Sequence, residues 1–150
     1  MAENRPGFVY LDIETSGLDS SSHEVIAAAT QRMDARGPTE DKPKLLTAWA
    51  HGGEDGVLQS LLDLGLFLSD GPQAHDLIPV GSSLDFTLAF ACDRLPARGL
   101  ARPTQGESTR FLARKPRVDL KGALVLMTEA LSKAQMSDVL PGAGSVGVST

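Results

Sequence analysis

The clearest hydrophobic pattern lies near the N-terminus, where an apolar run leads into acidic positions. Residues 8–11 are Phe-Val-Tyr-Leu, followed by Asp12, Ile13 and Glu14, and the pattern breaks at 15–17, Thr-Ser-Gly. This pattern predicts a buried strand that ends in a turn. Side chains two apart on a strand project to the same face, so Asp12 and Glu14 are expected to present two carboxylates together.

Two further strands are predicted before any helix. Residues 25–30, Val-Ile-Ala-Ala-Ala-Thr, and 45–50, Leu-Leu-Thr-Ala-Trp-Ala, have strand character. The segment between them carries Gly37, Pro38 and Pro43, which favour turns. Strands joined by turns rather than helices indicate an antiparallel meander.

Helical spacing appears in the middle and later parts of the chain. Apolar residues from 57 to 67 predict a helix capped by Asp55, and residues 77–81 predict a strand that leads into a second helix. A third helix is expected after Asp119. The apolar stripes of the last two helices are Leu84, Leu88, Ala91 and Leu95, then Leu120, Leu124, Met127 and Leu131. Helices that flank a sheet define an α/β class.

Length and charge limit the organisation of the chain. Its 150 residues suit one domain, and its formal net charge of −5 gives no sign of a broad basic face for long nucleic acid. We expect a flexible N-terminus over 1–7, one domain over 8–136 and a flexible glycine-rich tail over 137–150. One basic concentration follows the second helix, either as phosphate contacts or as a solvated loop: Arg94, Arg98, Arg102, Arg110, Arg114, Lys115 and Arg117.

The chain has one cysteine, Cys92, in a helical apolar run. A single cysteine excludes an intrachain disulfide and a thiolate metal cage, and its surroundings favour a buried filler. No signal peptide and no apolar stretch long enough to cross a bilayer is recognisable, so we expect no membrane partner and a cytoplasmic location.

The segment 12–18, Asp-Ile-Glu-Thr-Ser-Gly-Leu, resembles the first motif of the DEDD 3′–5′ exonucleases, a ribonuclease H-like family that includes polymerase proofreading domains. The resemblance implies a mixed sheet that starts with three antiparallel strands and is flanked by helices. It implies that Asp12 and Glu14 are catalytic and bind Mg²⁺ or Mn²⁺. It also implies that Thr15, Ser16, Gly17 and Leu18 lie against the terminal nucleotide of a substrate.

Residues 80–90 resemble the second motif of that family, commonly Val-Gly-His-Asn-Leu-x-Phe-Asp-Leu-x-Phe. The apolar and glycine positions match, which adds Phe86 to the implied nucleotide site, but Ser82, Ser83 and Thr87 replace the His, the Asn and the metal-binding Asp. A hydroxyl cannot supply the charge of a carboxylate to a dication. Asp85 lies two residues before Thr87, about 200° around a helix from it, and is therefore expected to face away from the metal site.

Residues 115–121 resemble a further family segment of the form His-Pro-Tyr-Val-Asp-Leu-Lys, but the third motif, a His or Tyr followed by the fourth carboxylate, is not recognisable. The leading hypothesis is therefore a pseudo-nuclease with weak or absent metal binding, which acts by binding a nucleic-acid 3′ end or a protein partner, a second copy included. The alternative is an active metal-dependent 3′–5′ exonuclease completed by a second subunit or a longer chain.

Overall fold

The structure is a computed structural model that describes residues 7–67, 76–100 and 111–121. In this part of the chain the strands are β1 (Gly7–Thr15), β2 (Val25–Asp34), β3 (Gly37–Pro38), β4 (Lys44–Thr47), β5 (Leu77–Gly81) and β6 (Val118–Asp119). The helices are α1 (Glu54–Asp63) and α2 (Leu84–Ala97), and residues 111–114 form a short helical turn.

The strands form one mixed sheet in the order β3-β2-β1-β5-β6, and β4 also pairs with β2. β2 is antiparallel to β1, β3 and β4, whereas β5 is parallel to β1 and to β6. The predicted start with three antiparallel strands is therefore confirmed, and so is the α/β class. Because β1 and β4 both oppose β2, they run in the same direction, and their carboxyl ends lie at the same edge of the sheet as the end of β5.

One face of the sheet packs against both helices. Val9, Leu11 and Ile13 alternate along β1 and are buried there. α1 packs on β2 and β4, and α2 packs on β1, β5 and β6. The helices contribute the buried side chains Val57, Leu58 and Leu61 and the predicted stripe Leu84, Leu88, Ala91 and Leu95. The opposite face of β1 carries the even-numbered residues, including Asp12 and Glu14.

Several predicted boundaries are corrected. β1 begins at Gly7, inside the expected N-terminal tail, and β4 ends at Thr47 rather than residue 50 because the chain turns there, with backbone hydrogen bonds from Ala50 and His51 to the Thr47 carbonyl. The N-cap of α1 is Gly53, so the capping role predicted for Asp55 is wrong. Asp55 instead lies in the first turn, where a negative charge still suits the helix dipole.

Residues up to Asp119 belong to one compact unit, Met1–Asp119, and the second unit, Leu120–Thr150, lies almost entirely outside the described residues. The predicted third helix and glycine-rich tail fall there and stay predictions, although residues 120–121 are helical. Within the described ranges, no helix has the length and apolar character needed to span a bilayer.

Candidate functional site

The predicted carboxylate pair lies where β1 approaches the shared edge. Asp12 pairs in register with Ala29 of β2 and Glu14 with Ala27. Asp12 is half-buried and Glu14 is exposed. Their Cα atoms are separated by two strand residues, about 6.6 Å, and both side chains leave the same face of β1. The sequence prediction that they share a face is confirmed by the strand geometry.

Two carboxylates are a donor set that fits one hard dication with water completing its coordination. They do not fit two ions, because the two-metal arrangement needs further oxygen ligands around both. Among the residues the structure describes, no three His, Cys, Asp or Glu side chains come together in a way that could hold a metal ion. The incomplete metal site inferred from the sequence stays a prediction.

The turn after β1 is closed by its own polar groups. Thr15 Oγ1 donates to the Gly17 carbonyl at 2.7 Å. Ser16 pairs with Glu24 twice, since its N–H donates to the Glu24 carbonyl and its Oγ accepts from the Glu24 N–H, both at 2.9 Å. These bonds leave Leu18 at the tip, with 85% of its surface exposed. An exposed leucine beside the carboxylates is where the resemblance expects a nucleotide.

His23, a half-buried loop residue, packs against this turn. Its ring occupies the space beside Gly17, where an added Cβ would lie 2.3 Å from the imidazole, so a larger residue there would have to displace the ring. His23 Nδ1 lies 3.1 Å from the Asp19 carbonyl oxygen. The Asp19 carboxylate accepts from Ser21, whose side chain and then backbone lower the pKa of Asp19.

A buried ion pair fastens the 16–24 segment to both helices. Arg94 of α2 donates to both carboxylate oxygens of Glu54 on α1, at 2.8 and 2.7 Å, and to the carbonyl of Ser20 at 2.9 Å. Glu54 also accepts from the Val25 N–H at 2.9 Å. Burial alone would raise the pKa of Glu54, but the Arg94 and Val25 hydrogen bonds outweigh it and lower the pKa. The pair thereby fixes both ends of the loop that follows the turn.

The second predicted motif forms the β5–α2 connection beside the carboxylates. An added Cβ at Gly81 would lie 2.3 Å from the Leu11 carbonyl oxygen, so glycine allows β5 to approach β1. Ser83 takes a left-handed conformation, φ 56°, at the position where the family motif has Asn, a residue that adopts it more readily. The Asp119 carboxylate accepts from the N–H groups of Ser83 and Leu84 at 3.3 and 3.0 Å and so serves the N-terminus of α2.

Thr87 and Asp85 are the two residues of the altered motif that bear on a third metal ligand. Thr87, which stands where the family has its third carboxylate, is buried at 2% exposure on the inner side of α2. Asp85 has 75% of its side chain exposed, and its Oδ1 lies 2.7 Å from Arg117 Nε. The surface position expected for Asp85 is therefore confirmed, whereas its direction relative to a metal ion stays a prediction.

The basic concentration is partly committed to ion pairs. Arg94 is buried on α2 rather than in a loop, Arg98 pairs with Asp55, and Arg117 pairs with Asp85. These contacts favour a structural role for the three arginines over phosphate binding. Arg102 and Arg110 lie outside the described residues.

Two other predicted residues behave as ordinary parts of α2. Phe86 is 38% exposed near the sheet edge, and its ring lies 5.5 Å from that of Phe90. Cys92 is buried, as expected for a filler, and burial raises the pKa of its thiol to about 12.

Sequence reasoning missed Glu54, Arg94 and His23. Glu54 and Arg94 are 40 residues apart, and nothing local distinguishes them from surface charges. His23 likewise has no local signal, because its close packing on Gly17 is visible only in the structure.

Comparisons with known proteins identify the fold. Neither the family models nor the curated proteins gave a match. Among solved structures, apo exonuclease I is similar over 80% of this chain and 30% of its own length, with TM-score 0.57 and 11% identity. E. coli exonuclease I with a dA16 oligonucleotide and an ExoI/SSB-Ct complex are each similar over 77% of this chain and 28% of theirs, with TM-score 0.54 and 12% identity. This chain thus spans less than a third of those proteins and has the exonuclease, ribonuclease H-like fold.

Proposed function

We propose that this chain is an exonuclease-fold module that binds the 3′ end of a single-stranded nucleic acid without efficient cleavage. One observation carries the proposal: Thr87 is buried in the place of the third carboxylate, while Asp85 points to solvent and pairs with Arg117. Asp12 and Glu14 would then hold a single Mg²⁺ or Mn²⁺ ion, which supplies attraction for phosphate oxygens. The likeness to exonuclease I with a bound oligonucleotide supports nucleic acid as the ligand class.

The residues around the ion have distinct roles in this proposal. The Thr15–Leu18 turn, held by the Ser16–Glu24 hydrogen bonds, offers the exposed Leu18 to the terminal nucleotide. The Glu54–Arg94 pair keeps the following loop in place through Ser20. Among residues 7–67, 76–100 and 111–121 we assign no general base, the group that fast hydrolysis requires to orient an attacking water.

A second candidate is an active metal-dependent 3′–5′ exonuclease. The observation that favours it is the carboxylate pair on one face of β1, with Asp12 half-buried and Glu14 exposed. A second subunit or a longer chain would have to provide the remaining carboxylates. Protein binding is a further aspect of the first candidate, since one of the similar structures is an ExoI/SSB-Ct complex.

The test follows a 5′-labelled single-stranded oligonucleotide with the wild-type protein in Mg²⁺ and in Mn²⁺, recording binding and shortening together. Metal-dependent binding without shortening is expected, and Asp12→Asn should weaken it. Metal-dependent shortening that Asp12→Asn abolishes would establish the second candidate. Absence of binding in both metals would refute nucleic acid as the ligand.

Restoring the carboxylate at position 87 tests why cleavage is missing. Without metal, Thr87→Asp should lower the free energy of unfolding by about 2–4 kcal/mol, because it buries a charge. Mg²⁺ or Mn²⁺ should return about 2.7 kcal/mol at a hundredfold excess over its Kd if the new carboxylate binds the ion. Thr87→Asn is the control, because asparagine has nearly the shape of aspartate without its charge. If the metal shifted the thermal unfolding of the two variants equally, the assignment of position 87 to the metal site would be contradicted.

A further inference from the structure

The described residues expose six large hydrophobic side chains: Leu18 at 85%, Trp49 at 78%, Leu45 at 63%, Val118 at 42%, Phe86 at 38% and Ile26 at 37%. The three most exposed are Leu18 in the turn after β1, Trp49 just after β4 and Leu45 on β4. Single exposed apolar residues are common on protein surfaces, so it is the position of these three relative to Asp12 and Glu14 that gives them interest.

Strand pairing places part of β4 on the same face of the sheet as the carboxylate pair. Asp12, Ala29 and Leu45 are opposite one another across β1, β2 and β4, so their side chains lie on one face. Glu14, Ala27 and Thr47 are opposite one another in the same way, and Thr47 is buried at 7% exposure. Two small alanines of β2 therefore lie between the carboxylates and β4. Two interstrand spacings, about 10 Å, separate β1 from β4.

Trp49 lies just beyond the carboxyl end of β4, at the edge of the sheet where β1 also ends. It follows the last residue of β4 by two positions, and the Ala48 N–H donates to the Ile26 carbonyl at 2.9 Å, which holds this stretch beside β2. An exposed indole is a flat apolar surface on which any unpaired base can stack. The net charge of −5 limits what phosphate contacts can contribute, so stacking has to supply more of the affinity.

We propose that Trp49 is a stacking subsite for an unpaired nucleobase, one step inward from the nucleotide at Asp12 and Glu14, with Leu45 as its apolar neighbour along β4. This inference rests on the proposed function, because it requires that a single strand end at the carboxylates. It adds a base-binding surface on β4 that the sequence motifs do not assign, and it favours unpaired strands over duplexes, whose bases are already stacked.

The experiment uses the full chain and short single-stranded poly(dT) with phosphorothioate linkages, in Mg²⁺. Trp49 is the sole tryptophan, so intrinsic fluorescence reports on this position alone. Fluorescence is followed with unlabelled oligonucleotide, and anisotropy of a 5′-labelled copy measures binding independently. The variants are Trp49→Ala, Trp49→Phe and Lys44→Ala, the last being an exposed cation on β4.

We expect saturable quenching of Trp49 with the Kd found by anisotropy. Trp49→Ala should bind roughly tenfold more weakly, Trp49→Phe should retain most of the affinity, and Lys44→Ala should change it little. If anisotropy detects binding while Trp49 fluorescence does not change and Trp49→Ala has an unaltered Kd, the subsite is overturned and the proposed function remains intact. Equal losses for Trp49→Ala and Lys44→Ala would also overturn stacking. No binding by the wild type would overturn both proposals.

Discussion

At the scale of single residues, the charges of Glu54 and Arg94 are held almost out of reach of water. Their side chains are 2% and 10% exposed. A buried pair of this kind contributes little net stability over an apolar pair, but removal of one partner leaves the other charge uncompensated. The consequence reaches the candidate site because Arg94 also holds Ser20 and Glu54 also holds the Val25 N–H.

We expect Arg94→Met to lower the free energy of unfolding by about 3–5 kcal/mol, measured by urea denaturation. Asp55→Asn is the control, because Asp55 is 45% exposed and its partner Arg98 is 40% exposed. Arg98 itself is left in place, since its Nε also lies 3.7 Å from Glu54 Oε2. An exposed pair should contribute no more than about 1 kcal/mol. Similar losses for the two variants would show that burial of the Glu54 pair does not govern its importance.

Residue-level prediction from the sequence was accurate where chemistry is local. The shared face of Asp12 and Glu14 follows from strand geometry, and the outward direction of Asp85 follows from helix geometry. The burial of Glu54 could not be predicted, because it depends on an arginine contributed by another helix 40 residues later.

At the scale of elements, the approach of β5 to β1 depends on Gly81. Substitution by alanine would place a Cβ 2.3 Å from the Leu11 carbonyl, a backbone atom that cannot move aside without disturbing β1. We expect Gly81→Ala to cost about 1–3 kcal/mol in the free energy of unfolding.

Gly7→Ala provides the comparison for Gly81→Ala. An added Cβ at Gly7 would meet the Asp76 carbonyl oxygen at 3.5 Å and Leu77 at 3.6 Å, both ordinary contacts. Alanine there should change stability by no more than about 0.5 kcal/mol in the same measurement. If Gly81→Ala were equally well tolerated, the close approach of the two strands would not be a constraint on this sequence.

Periodicity predicted the elements well where a buried face continues for several residues, as in β1, β5 and α2. It failed for β3 and β6, each of only 2 residues, since so short a segment has no period to detect. It also extended β4 too far, because Ala48 and Trp49 have the composition of a strand while the backbone turns.

At the scale of the whole molecule, the pH dependence of stability should reflect Glu54. Its pKa is lower in the folded protein than in the unfolded chain, so the folded state binds fewer protons between those two values. The resulting stability is fully present above the ordinary glutamate pKa of about 4.3 and is lost as the pH falls through the lowered value.

Urea denaturation of the wild type and of Glu54→Gln at a series of pH values from neutral to acid tests this prediction. The variant is expected to be less stable at neutral pH but to lose less stability on acidification, so the two curves should converge. Parallel curves would mean that other carboxylates control the acid transition.

The arrangement of the helices and sheet followed from the motif resemblance. The hydrogen bonds of Glu54 and Arg94 that connect these elements could be seen only in the structure.

Cys92 is buried in α2 and can report on local opening of that helix. Burial raises the pKa of this thiol to about 12, so the reactive thiolate is scarce as long as α2 stays on the sheet. The chain contains one cysteine, and a mass increase after treatment with a thiol reagent therefore reports on α2 alone. With little reagent, the rate of that modification under native conditions reports the fraction of time for which the helix that carries Thr87 and Arg94 is open. With enough reagent to react before the helix closes again, the same rate becomes the rate of opening, so one experiment gives both the population and the lifetime.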